Sequence, residues 1–306
     1  MKSENRFYLG VALILISASG FGLMPLLAKV AYAGGATVTT TLFVRFALAA
    51  VVFLLYLSMK KREPVTISKR QWVALFLMGG VIYMLISTLY FSSINYIPTS
   101  LAALLLYTYP IFVALLSTWI DKEHFSGRIA VATVVTVGGL GLALGPSFQS
   151  INPIGVLLAV GAAVGYSIHI IISNRVVAKL PPLITSAVTI TFTALSLLVT
   201  GLLRDDIHLT LEPKAWLAIS ALALFSTIIA LFFFYAGIKL IGSTRASILS
   251  TFEPLVTIGL SILLFAEPFT WLQMVGSLLA LLGVGIVVTG KEKPVAHEQE
   301  NVATSS

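Results

Sequence analysis

The chain has 306 residues, 58% of them hydrophobic and only 10% charged, with a mean hydropathy of +1.00 and a formal net charge of +7. A soluble domain of this size cannot bury so much apolar surface, so lipid is the expected solvent. There is no cysteine, which excludes disulfides and thiolate metal sites. The four histidines lack metal-ligand spacing, and the basic residues sit in short loops rather than on one face, which argues against a nucleic-acid partner.

A span needs roughly 20 mainly apolar residues, because ~1.5 Å of rise per residue must cross ~30 Å of hydrocarbon. That rule predicts ten helices: Phe7 to Ala33, Thr37 to Met59, Trp72 to Ile94, Pro98 to Trp119, Gly127 to Leu144, Pro153 to Val176, Pro182 to Leu203, Lys214 to Ile238, Thr244 to Phe265 and Phe269 to Thr289. The first apolar run continues well past the small residues Ser17 to Gly20, so a retained helix is expected rather than a cleaved leader. Only Ala266, Glu267 and Pro268 part the ninth span from the tenth, which calls for a tight turn.

Cationic residues fix the expected orientation. With the N-terminus inside, cytoplasmic segments hold Lys2, Arg6, Lys60, Lys61, Arg62, Lys69, Arg70, Lys122, Arg128, Arg175, Lys179, Lys239, Arg245, Lys291 and Lys293, against Arg204 and Lys214 outside. Both termini are therefore expected in the cytoplasm. Residues 291–306, rich in Lys, Glu, Gln and Ser, read as a disordered cytoplasmic tail.

The sequence also repeats itself. A shift of 144 places Ile94 on Ile238, Ala102 on Ala246, Pro110 on Pro254, Glu123 on Glu267, Phe125 on Phe269, Gly139 on Gly283 and Gly141 on Gly285 without a gap. A shift of 145 places Gly10 on Gly155, Ala18 on Ala163, Gly20 on Gly165 and Phe21 on Tyr166. Residues 1–145 and 146–290 thus read as two units of five spans each. Because five is odd, the second unit enters the membrane from the opposite side, giving an all-α polytopic protein of two inverted five-helix repeats. In secondary transporters so built, the repeat interface near the midplane holds the substrate.

Tyr109-Pro110-Ile111-Phe112 through Glu123-His124-Phe125 to Gly138-Gly139-Leu140-Gly141, repeated as Phe252-Glu253-Pro254-Leu255 through Glu267-Pro268-Phe269 to Gly276 and Gly283, resembles the EamA domain of the drug/metabolite transporter superfamily. The likeness covers both halves. It implies a ten-helix bacterial inner-membrane transporter with a central cavity between the halves, often an exporter of amino acids or other metabolites. The Arg45 position also looks like one where that family often carries arginine.

Polar groups within the spans are the candidates for chemistry, since charge in hydrocarbon is costly. Glu253 is the one deep carboxylate, nine residues in from Thr244 and so about 13 Å up at ~1.5 Å per residue. Its repeat mate is Tyr109, and each precedes a midhelix proline that leaves a carbonyl four residues back, of Leu106 or Ser250, without its helical donor. Two readings stand for Glu253: a proton-coupling or cation-binding group, or an acid that ties helices together.

Arg45, about 12 Å into the second span at ~1.5 Å per residue, lies too deep to snorkel easily and suits a substrate carboxylate or phosphate; pairing with Glu253 is its structural alternative. Lys29 is close enough to the interface to snorkel. Tyr83, Ser87 and Tyr90 follow one another at i, i+4 and i+7, with Ser226, Thr227 and Tyr235 in the repeat-mate helix. Tyr83, Ser87, Tyr90, Tyr109, Thr227 and Tyr235 form a half-polar stripe for an amphipathic substrate, or else pack helices together. His169, aligned with Met24 beside Pro25, is a proton-relay candidate whose structural alternative is a satisfied core imidazole. Glu123 and Glu267, each just before a helix, read as caps. No nucleophile or metal motif accompanies the spans, so an enzyme is not expected and no cofactor is called for; a channel or a structural bundle is the alternative to a transporter. With no phosphate-binding loop in the chain, an ion or substrate gradient is the expected energy source.

Overall fold

A computed structural model describes residues 3–59, 65–93, 96–97, 105–121, 127–144, 152–265 and 271–288. Glu123, Glu267 and the segment 291–306 lie outside them, as do the side chain of Lys29 and the loop cations Lys60, Lys61, Arg62 and Lys122. Every regular element among the described residues is helical.

Six helical stretches are long and apolar enough to cross a bilayer: Asn5–Ala33, Val38–Met59, Lys69–Ser93, Pro153–Lys179, Pro182–Leu203 and Pro213–Ile241. The segments expected as the fourth, fifth, ninth and tenth spans contain the helices Tyr109–Leu116, Gly127–Leu144, Ser243–Ser250 with Phe252–Phe265, and Trp271–Val288. Proline opens several of them, at Pro153, Pro182 and Pro213, where a missing N–H costs nothing. Large apolar side chains such as Leu203, Leu263 and Trp119 point outward, while much of the interior is alanine and hydroxyl residues. That is the distribution of a multi-pass membrane protein, whose outer surface meets acyl chains and whose helices approach through small residues.

Several elements depart from the expected continuous spans, the first and the eighth among them. The first breaks at Leu23, so that Ser3–Gly22 and Met24–Ala33 are separate helices, the second with proline in its first turn. The eighth runs on to Ile241 and turns straight into the next helix at Gly242, whose φ of +81° is left-handed and free of strain only for glycine.

The repeat carries over into contacts. The Ser3–Gly22 helix packs against Ala230–Ile241, and Met84–Ser93, the mate of the latter, packs against Pro153–Lys179, the mate of the former. Val38–Met59 lies on Pro182–Leu203, and Gly127–Leu144 on Trp271–Val288. Single residues follow the same exchange. A Cβ on Gly10 would stand 2.5 Å from Ile241 Cγ2, and one on Gly155 would stand 2.7 Å from Ile97 Cγ2. A Cβ on Gly139 would come 2.7 Å from the Gly276 carbonyl, and one on Gly283 would come 2.8 Å from that of Ala132.

Helix interruptions recur too. Spans three and eight carry π-helical stretches at Leu77–Tyr83 and Leu224–Ile229, and Tyr83 and Thr227, 144 positions apart, fall in them. A π-turn admits an extra residue and re-aims the side chains around it. The two proline-bearing helices break in register as well, at Tyr107–Thr108 and at Thr251.

Candidate functional site

The breaks meet around one cavity. It is lined by Phe21 and Met24 at the break within Asn5–Ala33, Arg45 from Val38–Met59, Tyr83, Ser87, Tyr90 and Phe91 from Lys69–Ser93, Tyr107 and Tyr109 at the break before Tyr109–Leu116, Tyr166 from Pro153–Lys179 and Glu253 from Phe252–Phe265. The space open to the centre of a water molecule is about 70 Å³, enough for several waters or a small ligand rather than one trapped water.

Arg45 is 3% exposed. Its Nε donates to Thr227 Oγ1 at 2.8 Å, one Nη donates to Met24 Sδ at 2.9 Å, and the guanidinium lies over the Phe46 ring at 4.7 Å. The Tyr83 hydroxyl is a further near neighbour. Thr227 accepts from Arg45 through a lone pair while its own proton goes to the Leu222 carbonyl at 3.1 Å, five residues back in the preceding helix, which holds the hydroxyl in place. The expected alternative for Arg45, a direct pair with Glu253, is absent: among the described residues Arg45 forms no ion pair with any carboxylate, although the two charges are near enough to act on each other.

Glu253 enters from the first turn of Phe252–Phe265, where the open N–H end of a helix favours a carboxylate. The Tyr107 hydroxyl stands beside it in the cavity. Close approach of the first span makes room for this turn: a Cβ on Gly22 would be 2.8 Å from the Glu253 carbonyl, and Thr257 Oγ1 donates to the Gly22 carbonyl at 2.8 Å. Tyr109, the mate of Glu253, is fixed at both ends. Its hydroxyl donates to the Ser247 carbonyl at 3.1 Å, and its carbonyl accepts from Ser167 Oγ at 3.1 Å.

Arg45, Tyr83, Ser87, Tyr90, Tyr109 and Glu253 therefore share one cavity, whereas Thr227 stands behind Arg45 and orients it. Ser87 already donates to the Tyr83 carbonyl at 2.9 Å. His169 and Tyr235 are fully buried beneath the lining, joined Nε2 to hydroxyl at 3.2 Å, and the imidazole stacks on Tyr83 at 4.9 Å between centroids. Sequence reasoning missed Tyr107 and Tyr166. Tyr107 is two residues from Tyr109 and would face away from it on an unbroken helix; the break at Tyr107–Thr108 turns both inward. Tyr166 had a signal, since its repeat mate Phe21 lines the same cavity. Among the described residues no cluster of His, Asp and Glu could hold a metal.

The sequence profile of the EamA-like transporter family matches residues 8–145 and, a second time, residues 153–289. The chain belongs to the EamA-like transporter family. Relatives of this EamA-like chain bear transporter names without a stated substrate. The uncharacterized transporter YcbK of Bacillus subtilis is 27% identical over 301 residues, 92% of each chain, and the uncharacterized transporter YyaM of the same organism is 25% identical over 255 residues, 78% of this chain and 81% of that one. A crystal structure titled only as that of a protein superposes with a TM-score of 0.78 at 19% identity, covering 93% of this chain and 98% of the other, which shows a shared fold. Family and relatives make this a membrane transporter rather than an enzyme.

Proposed function

We propose that the chain is a secondary transporter that moves a small polar or amphipathic metabolite, an amino acid or related compound, out across the inner membrane by alternating access. In this reading ten spans form two inverted five-helix repeats, residues 1–145 and 146–290, with both termini in the cytoplasm. The observation that carries it is the cavity itself, to which both halves contribute and in which a buried arginine and a carboxylate face the same space unpaired. The reciprocal packing of Gly10 with Ile241 and Gly155 with Ile97 supports the inverted repeat, because such a pair of contacts is what a twofold axis between the halves would generate.

Rocking of one half against the other requires contacts that close one side of the cavity and can part. The ring stack Tyr83–His169, continued to Tyr166 with centroids 6.1 Å apart, joins the third span to the sixth and suits that role. Glu253 is the proposed coupling group: an acid at the helix break exchanges its proton with the cavity, and substrate competes for the same carboxylate. His169, closed off from the cavity by Tyr83 and Tyr166, is a second proton-relay position in this reading.

Purified protein in liposomes, challenged with amino acids, amines, sugars and phosphorylated metabolites, tests the proposal. Saturable counterflow of one class is expected. Ohmic, non-saturating flux would replace it with a channel.

A further inference from the structure

We propose that residues 204–212 form a latch: Asp206 straps this segment onto Thr37, Thr39 and Thr40, holds one end of the helix bundle shut, and must release each time the transporter opens at that end. This rests on the alternating-access reading above and adds a conformational device to it. In the orientation proposed there, the latch lies at the outer end.

The segment is aimed by the end of the helix before it. Pro182–Leu203 is followed by Asp205 in the left-handed region, φ +51°, and the Asp206 N–H donates to the Gly201 carbonyl at 3.0 Å, which reverses the chain. Aspartate tolerates that conformation better than most residues. Asp206 then meets the first turn of Val38–Met59. Its carboxylate accepts from Thr39 Oγ1, and its carbonyl accepts from Thr37 Oγ1 at 2.9 Å. Thr40 Oγ1 accepts from the His208 N–H at 2.9 Å, and the Glu212 N–H donates to the Gly34 carbonyl at 3.1 Å. Ile207 fills the space over Gly201, where a Cβ would stand 2.6 Å from Ile207 Cδ1 and 3.0 Å from Thr39 Cγ2.

The bonds to Gly34, Thr37, Thr39 and Thr40 join the first half of the chain to the second. Beneath them Ala31, Ala36 and Val44 from the first half are buried with Ala218 and Ile219 from the second, in a small apolar cluster separate from the main core. Contacts of two kinds therefore close this end, and both can part. Water can replace hydrogen bonds at part-buried hydroxyls, and a layer built largely of alanine has little apolar area to lose.

The opposite end cannot repeat the device. At a shift of 144 or 145, Asp206 falls on Arg62 or Lys61, Thr37 on Pro181 or Pro182, and Thr39 on Leu183 or Ile184. Proline and aliphatic side chains have no hydroxyl to give and a cation has no carboxylate to receive it, so the latch biases the protein toward the state closed at this one end. Val38–Met59 also carries Arg45, about 9 Å beyond Thr39 at ~1.5 Å per residue, so release frees the end of the helix that holds the cavity's cation.

The chain has no cysteine, so Thr39→Cys with Asp206→Cys introduces the only two thiols. In liposomes, copper phenanthroline should join them, read as loss of both thiols to a gel shift with a polyethylene glycol maleimide. The joined protein should lose counterflow of radiolabelled leucine, or of another panel compound that the wild type carries, by on the order of tenfold or more, because a tied latch blocks the conformational step. Dithiothreitol should restore it, and each single-cysteine variant should be indifferent to the oxidant. Unchanged counterflow in fully joined protein overturns the latch, as does failure of the thiols to join. A second measurement needs neither transport nor a disulfide. Ala36→Cys, beneath the latch, should react with a membrane-impermeant maleimide several-fold faster when combined with Asp206→Ala or Thr39→Val, while Asp206→Asn, which keeps an acceptor, should leave the rate near that of the parent. Equal rates in all four proteins overturn the proposal. If the wild type carries no panel compound, the transporter reading fails, and the labelling rates still decide whether Asp206 holds this end shut.

Discussion

Tyr83 and Thr227, repeat mates 144 positions apart on the π-helical stretches of two different helices, stand beside the same guanidinium, that of Arg45, which Thr227 accepts from at 2.8 Å. One internal symmetry therefore converges on a residue that has no charged mate of its own. The consequence is a cation oriented from both halves of the chain, so any relative movement of the halves must alter its setting.

Thr227→Val keeps the shape of the side chain and removes the acceptor for Arg45 Nε. A hydrogen bond to a charged group is worth about 1.5–3 kcal/mol, so Tm in detergent should fall and ligand affinity should drop with it. Thr227→Ser should restore most of both. A Val variant as stable and as avid as wild type would remove Thr227 from the site.

Gly138 and Gly139 are adjacent but differ sharply in surroundings. A Cβ on Gly139 would strike the opposing Trp271–Val288 helix at Ala280 N, 2.5 Å away, while one on Gly138 meets nothing within 4 Å. Gly139→Ala should destabilise by about 1–3 kcal/mol, and Gly138→Ala should be neutral or slightly stabilising through helix propensity. Melting curves of the two variants decide it, and equal behaviour would contradict the close packing of these helices.

Much of this was legible before any fold was known, and the reasons are physical. Arg45 and Glu253 stood out because charge in an apolar run must be accounted for, and the stripe Tyr83, Ser87 and Tyr90 kept its face because the third span's irregular stretch ends at Tyr83. The repeat was legible because glycine and proline matched where helices touch or break: Gly139 and Gly283 each meet the partner helix at points the repeat exchanges. What stayed hidden depended on those breaks. Tyr107 is brought inward by a helix interruption whose local geometry no periodicity reveals. Tyr235 is of the same residue type as much of the lining, yet it and His169 are sealed beneath it, a difference of one helical face in a bundle that is apolar all round.

Orientation has its own test. A reporter active only in the cytoplasm should work when fused after Gly290 or at Arg62 and fail within 146–152. Activity at the last position would sink both the ten-span count and the inverted arrangement.

Glu253 faces Arg45 and the hydroxyl-bearing rings of Tyr83, Tyr90, Tyr107, Tyr109 and Tyr166, with no second carboxylate among the described cavity residues. Protonation of Glu253 removes the negative charge, so ligand affinity should fall as pH falls, and Glu253→Gln should show weak affinity that no longer varies with pH. A wild-type affinity flat across the acid range would exclude proton–ligand competition at this residue.

The most direct test of the central claim compares wild-type and Glu253→Gln protein in liposomes under two regimes, equilibrium counterflow and accumulation driven by a pH gradient. The Gln variant is expected to insert normally and still to exchange substrate at raised concentration, but no longer to accumulate it when a gradient is imposed. Gradient-driven accumulation by Glu253→Gln equal to that of wild type would contradict the account, leaving Glu253 as an acid that only ties helices together.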